Sequence, residues 1–390
     1  MPQRPEVLRT IPFHDGIARV VRLEELKQLP AWQEALASEA KDHRFYEITD
    51  ETLDCGFEHH YLLLQDHAGR VRGVQPMFFV QQNLVEGIPA LRPPVDWIRR
   101  RFPRFLTMRI LMIGNAAGTG HLGAGSPADA EWVAMALLAV LERYGRSGGA
   151  SLIVLKDFPA NDRELLERFA QNGYTRIPSM PMTALQLTYP DFNAYVNSLG
   201  KATRKDLRRK FRRIENTAIE LEVLPDITAH VDEIYPLYLA VHDRSAQKFE
   251  RLTKAYFREL GRRMPDRARF FVWRREGRIV AFSVALVHEG AIYDDYLGLD
   301  YAVALDLHLY FKTFRDIITW SLAQGLTAYR SSPLNYRPKL HLGCSLLPLD
   351  LYVMHTSRWL NPIFRHVLPF LEPTRHDPVL QQFPNADELV

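Results

Sequence analysis

One order of elements occurs twice along this chain, and that constrains its fold more than any other feature. From about Ile17 to Thr188 the pattern reads as a strand at Ala18–Leu23, then a helix through Trp32 and Leu36. Strands follow at Tyr61–Gln65, Val71–Val80 and Met108–Ile113. A helix opened by Ser126-Pro127 comes next, then a strand at Ser151–Leu155, a helix at Asn161–Asn172 and a last strand at Met182–Thr188. From about Ile219 to His355 the reading repeats. A strand at Ile219–Leu224 leads into helices at Ala229–Val241 and Leu252–Arg263, then strands at Arg269–Arg274, Ile279–Val287 and Ala291–Leu299. A long helix at Asp306–Gln324 and strands at Thr327–Ser331 and Leu347–Met354 complete it. Period-two apolar runs bounded by Asp-x-x-Gly and Glu-Gly turns mark the hairpins, and Ser-Pro before an apolar 3.6-residue period marks a helix start.

The fold class expected is α+β, two tandem domains each built on a mixed, mostly antiparallel sheet flanked by helices. The expected division is an N-terminal domain at 1–189, a basic helical connector at 190–216, a C-terminal domain at 217–355 and a Pro-rich tail at 356–390. A length of 390 residues suits two domains, and 47% apolar residues exclude a disordered chain. The two cysteines, Cys55 and Cys344, make no disulfide framework and no zinc spacing. The N-terminus lacks an apolar signal core, and no apolar run reaches membrane-span length, so the expectation is a cytoplasmic protein without metal.

The net charge of +3 hides an asymmetry. Lys201–Arg213 alone carries +7, leaving −4 on the rest. Leu207, Phe211 and Ile214 form one apolar stripe there, and Lys201, Arg204, Lys205 and Arg208 fall on the remaining surface, where phosphates of a substrate, a tRNA or an anionic membrane would bind. A solvated helix docked by its stripe fits the segment equally well. The glycine-rich stretch Gly114–Ser126 lies between a strand and a helix. Its Asn115, Gly118, Thr119 and Gly120 would cradle a phosphate on backbone N–H groups, and a long irregular loop is the competing reading. Tyr293, Asp294, Asp295 and Tyr296 sit mid-strand, where a carboxylate is either paired or functional. Strict alternation would put Tyr293 and Asp295 on one face and Asp294 and Tyr296 on the other. A carboxylate there would accept the proton an attacking amine loses, with Asp295 the first choice. The tail around Trp359–Leu371 mixes apolar residues with Arg358, Arg365 and His366, and covering the protein's own core is the favoured reading over resting on a bilayer.

Three segments resemble the FemAB-like and BioF2-like acyltransferases of the GNAT superfamily. They are Asp191–Lys210 with its aromatic pair, Ser-Leu and basic run, the hairpin Ile279–Leu299, and Tyr336-Arg337-Pro338-Lys339-Leu340-His341-Leu342-Gly343. The resemblance implies tandem GNAT domains and transfer of an acyl or aminoacyl group, from acyl-CoA or aminoacyl-tRNA, to an amine; the expected reaction is direct transfer from acyl-CoA to a primary amine of a small molecule. No cofactor would be permanently bound. It places Lys339 near the reacting carbonyl, as an oxyanion partner, and Tyr336 near a leaving group. Asp300-Tyr301-Ala302 departs from the GNAT pyrophosphate loop, which puts ordinary CoA binding by the second half in doubt. An aminoacyl-tRNA-dependent transferase acting on a cell-wall precursor is the alternative within enzymes. A non-catalytic module binding nucleic acid or anionic lipid is the alternative outside them.

Overall fold

The computed structural model describes residues 9–53, 56–83, 92–102, 105–215, 217–245 and 248–390. Cys55, the N-terminal stretch read for a signal core and Asn216 at the end of the connector lie outside them. Two compact units result. The first takes in the chain up to Met180 with Pro348–Pro378 and Asp387–Val390, and the second is Pro181–Leu347 with Val379–Ala386.

The strands of the N-terminal half are β1 (Thr10–Phe13), β2 (Gly16–Val21), β3 (Glu58–Asp66), β4 (Val71–Asn83), β5 (Thr107–Ile113), β6 (Leu152–Pro159), β7 (Thr175–Pro178) and β8 (Met182–Gln186). Those after it are β9 (Ile219–Leu224), β10 (Ala268–Arg275), β11 (Arg278–His288), β12 (Ala291–Leu299), β13 (Ala328–Ser331), β14 (Ser345–Leu347) and β15 (Leu349–His355). The first unit holds a sheet of order β1-β2-β3-β4-β5-β6-β15-β7, and the second a sheet of order β14-β8-β13-β12-β11-β10-β9. Each sheet is antiparallel except at one place, β5 beside β6 and β12 beside β13. The expected fold class, two mixed sheets flanked by helices, is what the structure shows.

One feature of the division is corrected. Met182–Thr188 was expected to finish the first sheet and Leu347–Met354 the second. Instead β8 pairs with β13 in the second sheet, and β15 lies between β6 and β7 in the first. Each sheet is thus completed by a strand from the other half of the chain. An apolar alternating segment announces a strand, but its own sequence does not choose the partner edge.

Local chemistry explains the elements that were foreseen. Glu276 and Gly277 (φ +51° and +80°) and Glu289 and Gly290 (φ +45° and +75°) give the left-handed pairs that tight hairpin turns require. Ser126 caps the helix Pro127–Ser147 by accepting the Asp129 N–H. That helix buries Val133, Leu137, Val140, Leu141 and Tyr144 against Leu62, Phe79, Leu111 and Ile153. In the second unit Phe314, Ile317 and Ile318 of the helix Leu309–Ala323 pack with Phe271, Trp273, Ala285 and Tyr329. That helix begins at Leu309, not Asp306. His308 is left-handed (φ +46°), and Asp300 gathers the preceding turns by accepting from Ala302, Val303 and Ala304. Asp306 therefore lies outside the helix, and no dipole explains it.

Candidate active site

β12 is a central strand, yet Tyr293–Leu297 are only half-buried while Ile279–Leu286 beside them on β11 are buried. Two irregularities meet there. The parallel pairing with β13 ends at Asp294 and Ser331, while β12 runs on to Leu299. On the other side Val284 pairs with Tyr296 and Ala285 with Asp294, so Asp295 is a bulge residue without a partner on β11. An extra residue in one strand re-aims the side chains around it. Past that point Ser332 still holds β12, its N–H donating to the Asp294 carbonyl (3.2 Å) and its hydroxyl to the Asp295 carbonyl (2.8 Å).

The bulge undoes the alternation expected from the sequence. Asp294 does not share its surroundings with Tyr296. Its Oδ1 accepts from the Ser283 hydroxyl and its Oδ2 from the Tyr329 hydroxyl at 2.8 Å, and Tyr296 instead donates to Glu250 at 2.9 Å. Burial pushes the Asp294 carboxyl above the usual carboxylate range. The two hydroxyls and the Lys339 ammonium pull it back, and the Asp295 charge adds to the rise.

Lys339 is buried on the helix Tyr336–His341. Its ammonium donates to the Ser332 carbonyl and feels Asp294 and the Cys344 thiol. Burial lowers its pKa to about 8 and pushes the Cys344 thiol up to about 12. The ammonium is therefore engaged with the chain at the end of β13. The Tyr336 hydroxyl is buried as well and donates to the Pro181 carbonyl at 2.8 Å, which leaves it no proton to offer a leaving group. Tyr293 accepts from Arg330 at 2.7 Å, with the guanidinium 5.0 Å from its ring centre.

Asp295 keeps different company. Its charge acts on Tyr256 and Tyr296, together with that of Glu250, and burial raises both phenols well above the usual range. Tyr238 stands edge-on to Tyr296 with centroids 6.4 Å apart, and Tyr256 does so at 6.3 Å. Two carboxylates thus act on Tyr256 and Tyr296, which stay protonated at neutral pH, and the Tyr238 hydroxyl beside them accepts the Leu252 N–H at 2.9 Å. Glu250, Tyr238 and Tyr256 were not singled out from the sequence. Glu250 lies 46 residues before Tyr296, in a segment with no motif of its own.

The glycine stretch belongs to the first unit and is filled by its own chain. Ala117 N–H donates to Asn115 Oδ1 (2.9 Å), Gly120 N–H to the Asp157 carbonyl (3.0 Å) and Gly123 N–H to Gln75 Oε1 (3.0 Å). Lys41 and Lys156 hold the carbonyls of Ala117 and Gly118, and Thr119 pairs with His121. A Cβ on Gly120 would strike the Lys156 carbonyl and the Phe158 ring. The glycines thus serve close backbone packing, and three of the N–H groups a phosphate would need are engaged.

The basic helix Lys201–Glu215, in the second unit, buries Leu207, Phe211 and Ile214 as its stripe required. Arg204 caps the Asn197 and Leu199 carbonyls, Arg208 bonds the Asn197 side chain, and Asp206 gathers Arg209 and Lys210. Lys201 and Lys205 are exposed.

A FemAB-like family model, described as peptidoglycan biosynthesis/recognition, matches residues 118–333, more than half of the chain. No curated protein matches the sequence. Among solved structures, FemX is similar at 10% identity and a TM-score of 0.54 over 90% of this chain and 99% of that one. The C-terminal domain of a putative lysylphosphatidylglycerol synthetase from Agrobacterium fabrum is similar at 13% identity and 0.52, covering 90% and 96%. L-PGS from Bacillus licheniformis follows at 14% identity and 0.50, covering 86% and 97%. At these identities the likeness is one of fold.

Proposed function

Since the chain belongs to the FemAB-like family, and so is a GNAT-fold transferase, we propose that the site at Asp295 moves an aminoacyl group from an ester on tRNA to a primary amine. The observation that carries the reading is the interrupted register of β12, with Asp295 at the bulge beside Glu250 and the tyrosines. The amine attacks the ester carbonyl, a C–N bond forms, the C–O bond breaks, and the released hydroxyl takes up a proton. Asp295 accepts the proton the amine gives up. The acidic and aromatic wall suits an acceptor that arrives as an ammonium ion. Lys339 and Asp294 are positioning residues, fixing the end of β13 and the strand beside the bulge.

The donor is the point at which this reading departs from the acyl-CoA expected first. After β12, where a GNAT domain would hold a pyrophosphate, Asp300 takes the N–H of Ala302 on its carboxylate and those of Val303 and Ala304 on its carbonyl. A diphosphate there would meet a carboxylate and engaged donors. Exposed Lys201 and Lys205 in the same unit suit an RNA backbone.

The test offers the purified protein an amine acceptor with either labelled aminoacyl-tRNA or acetyl-CoA. Product from aminoacyl-tRNA alone, with RNA affinity falling steeply with salt, is expected. Lys201→Ala and Lys205→Ala should each reduce the salt slope by about one. Turnover of acetyl-CoA with no use of aminoacyl-tRNA would overturn the donor assignment.

A further inference from the structure

The helix Asn361–Leu371 of the first unit has two apolar sides, and only one of them is covered. On the inner side Phe364 packs against His355 with ring centroids 4.8 Å apart, Leu368 is buried, and Asn361 is tied to Gly173 and His355 by hydrogen bonds. On the outer side Ile363, Val367 and Phe370 recur at i, i+4 and i+7 and are exposed, Ile363 by 58% and Phe370 by 67%. Trp359, just before the helix, is 75% exposed, and Leu360 is exposed too. The sequence favoured this segment as a lid over the protein's own core, and the outer side does not serve that purpose. A helix of this kind needs an apolar partner for its second face.

Charge narrows the partner. Exposed Arg358, Arg365 and Arg375 accompany the apolar side against Glu372 alone in the stretch from 356 to 376. Arg358 lies 5.0 Å from the Trp359 ring centre and Arg375 5.8 Å from that of Phe370. Beside Trp359 an open recess is lined by Arg146, Thr356, Ser357 and Arg358. Two guanidiniums next to two hydroxylated residues, at the foot of an aromatic and aliphatic face, have the chemistry of a phosphate headgroup site at the edge of acyl chains. Arg146 is held there by Glu142 at 2.6 Å and by its own donation to the Thr356 carbonyl.

We propose that this helix face is a membrane-docking surface for an anionic bilayer, the helix lying in the interface with Trp359, Ile363, Val367 and Phe370 immersed and the arginines at headgroup level. An 11-residue helix is too short to span, and among the described residues no helix is long and apolar enough to cross a membrane. A two-fold pairing of the same face would bring the arginines of both copies into one interface, which disfavours a second copy as the occupant.

The test is co-sedimentation of the full chain with phosphatidylcholine vesicles and with mixed phosphatidylcholine–phosphatidylglycerol vesicles. A combined Trp359→Ala, Ile363→Ser, Phe370→Ser variant is compared in parallel. Preferential binding of wild type to the anionic vesicles, weakened by salt and reduced about tenfold or more in the variant at unchanged melting temperature, is expected. Equal binding of variant and wild type, or none to either vesicle, would overturn the proposal. So would a concentration-dependent dimer that the variant loses, since the face would then belong to a second copy.

Discussion

Both sheets contain one parallel pair that parts, and the two units treat that gap in opposite ways. In the first unit β5 and β6 pair through Ile113 and Leu155, after which the glycine stretch folds against β6. Buried Asn115, Ala116 and Ala117 occupy the gap, and Gly120 bonds to Asp157. In the second unit the β12–β13 ladder ends at Asp294 and Ser331, Ser332 bonds on to the Asp294 and Asp295 carbonyls, and Tyr293–Leu297 stay half-buried with Asp295 on a bulge. The same architecture yields a backbone-filled wedge in one unit and a strand end surrounded by polar side chains in the other. Glycine at a strand end does not make a ligand site when the released N–H groups already have partners, whereas carboxylates set mid-strand beside an apolar neighbour mark a candidate for chemistry.

Three substitutions would break or sharpen that contrast. The largest effect is expected from Asp294→Ala, which strips the acceptor from Ser283 and Tyr329 and the countercharge from Lys339. A loss of about 3 kcal/mol in chemical denaturation is expected. An unchanged midpoint would mean that Asp294 does not anchor the site. Gly120→Val pushes a side chain into the Lys156 carbonyl and the Phe158 ring. It should cost about 2 kcal/mol while leaving transfer activity per folded molecule intact. Lost activity at wild-type stability would move the site to the first unit.

The smallest effect concerns pH. Lys339 is held at about 8 in the fold against an ordinary 10.5. Between these values the unfolded chain binds more protons, so this lysine makes stability rise with pH. The Cys344 thiol, raised from 9.0 to about 12, works the other way above pH 9. Between pH 8 and 9 the wild type should therefore gain up to about 1 kcal/mol relative to Lys339→Met. Parallel stability curves for the two proteins would show that Lys339 titrates as an ordinary surface lysine.

Local chemistry was the readable part of the fold. Caps, Glu-Gly turns and period-two runs depend on neighbours a few residues away, so Ser126, Glu276-Gly277 and the strands β9 and β12 were foreseen with little or no displacement. The exchange of β8 and β15 was not, because edge choice depends on strands far along the chain. The short strands β1, β7 and β14, of four, four and three residues, were not foreseen, although β13, also of four residues, was. At the site, the two aspartates were visible as polar residues in an apolar strand. Their sides were not, because a bulge is defined by the partner strand. Glu250 and Tyr256 reach Tyr296 and Asp295 only through tertiary packing.

The account stands or falls on Asp295. Single-turnover transfer from aminoacyl-tRNA to an amine, measured across pH for wild type, Asp295→Asn and Gly120→Val, tests it most directly. A fall of about 10²–10³-fold in Asp295→Asn at unchanged stability and at every pH, with a normal rate in folded Gly120→Val, is the expected result. A wild-type rate in Asp295→Asn would contradict it.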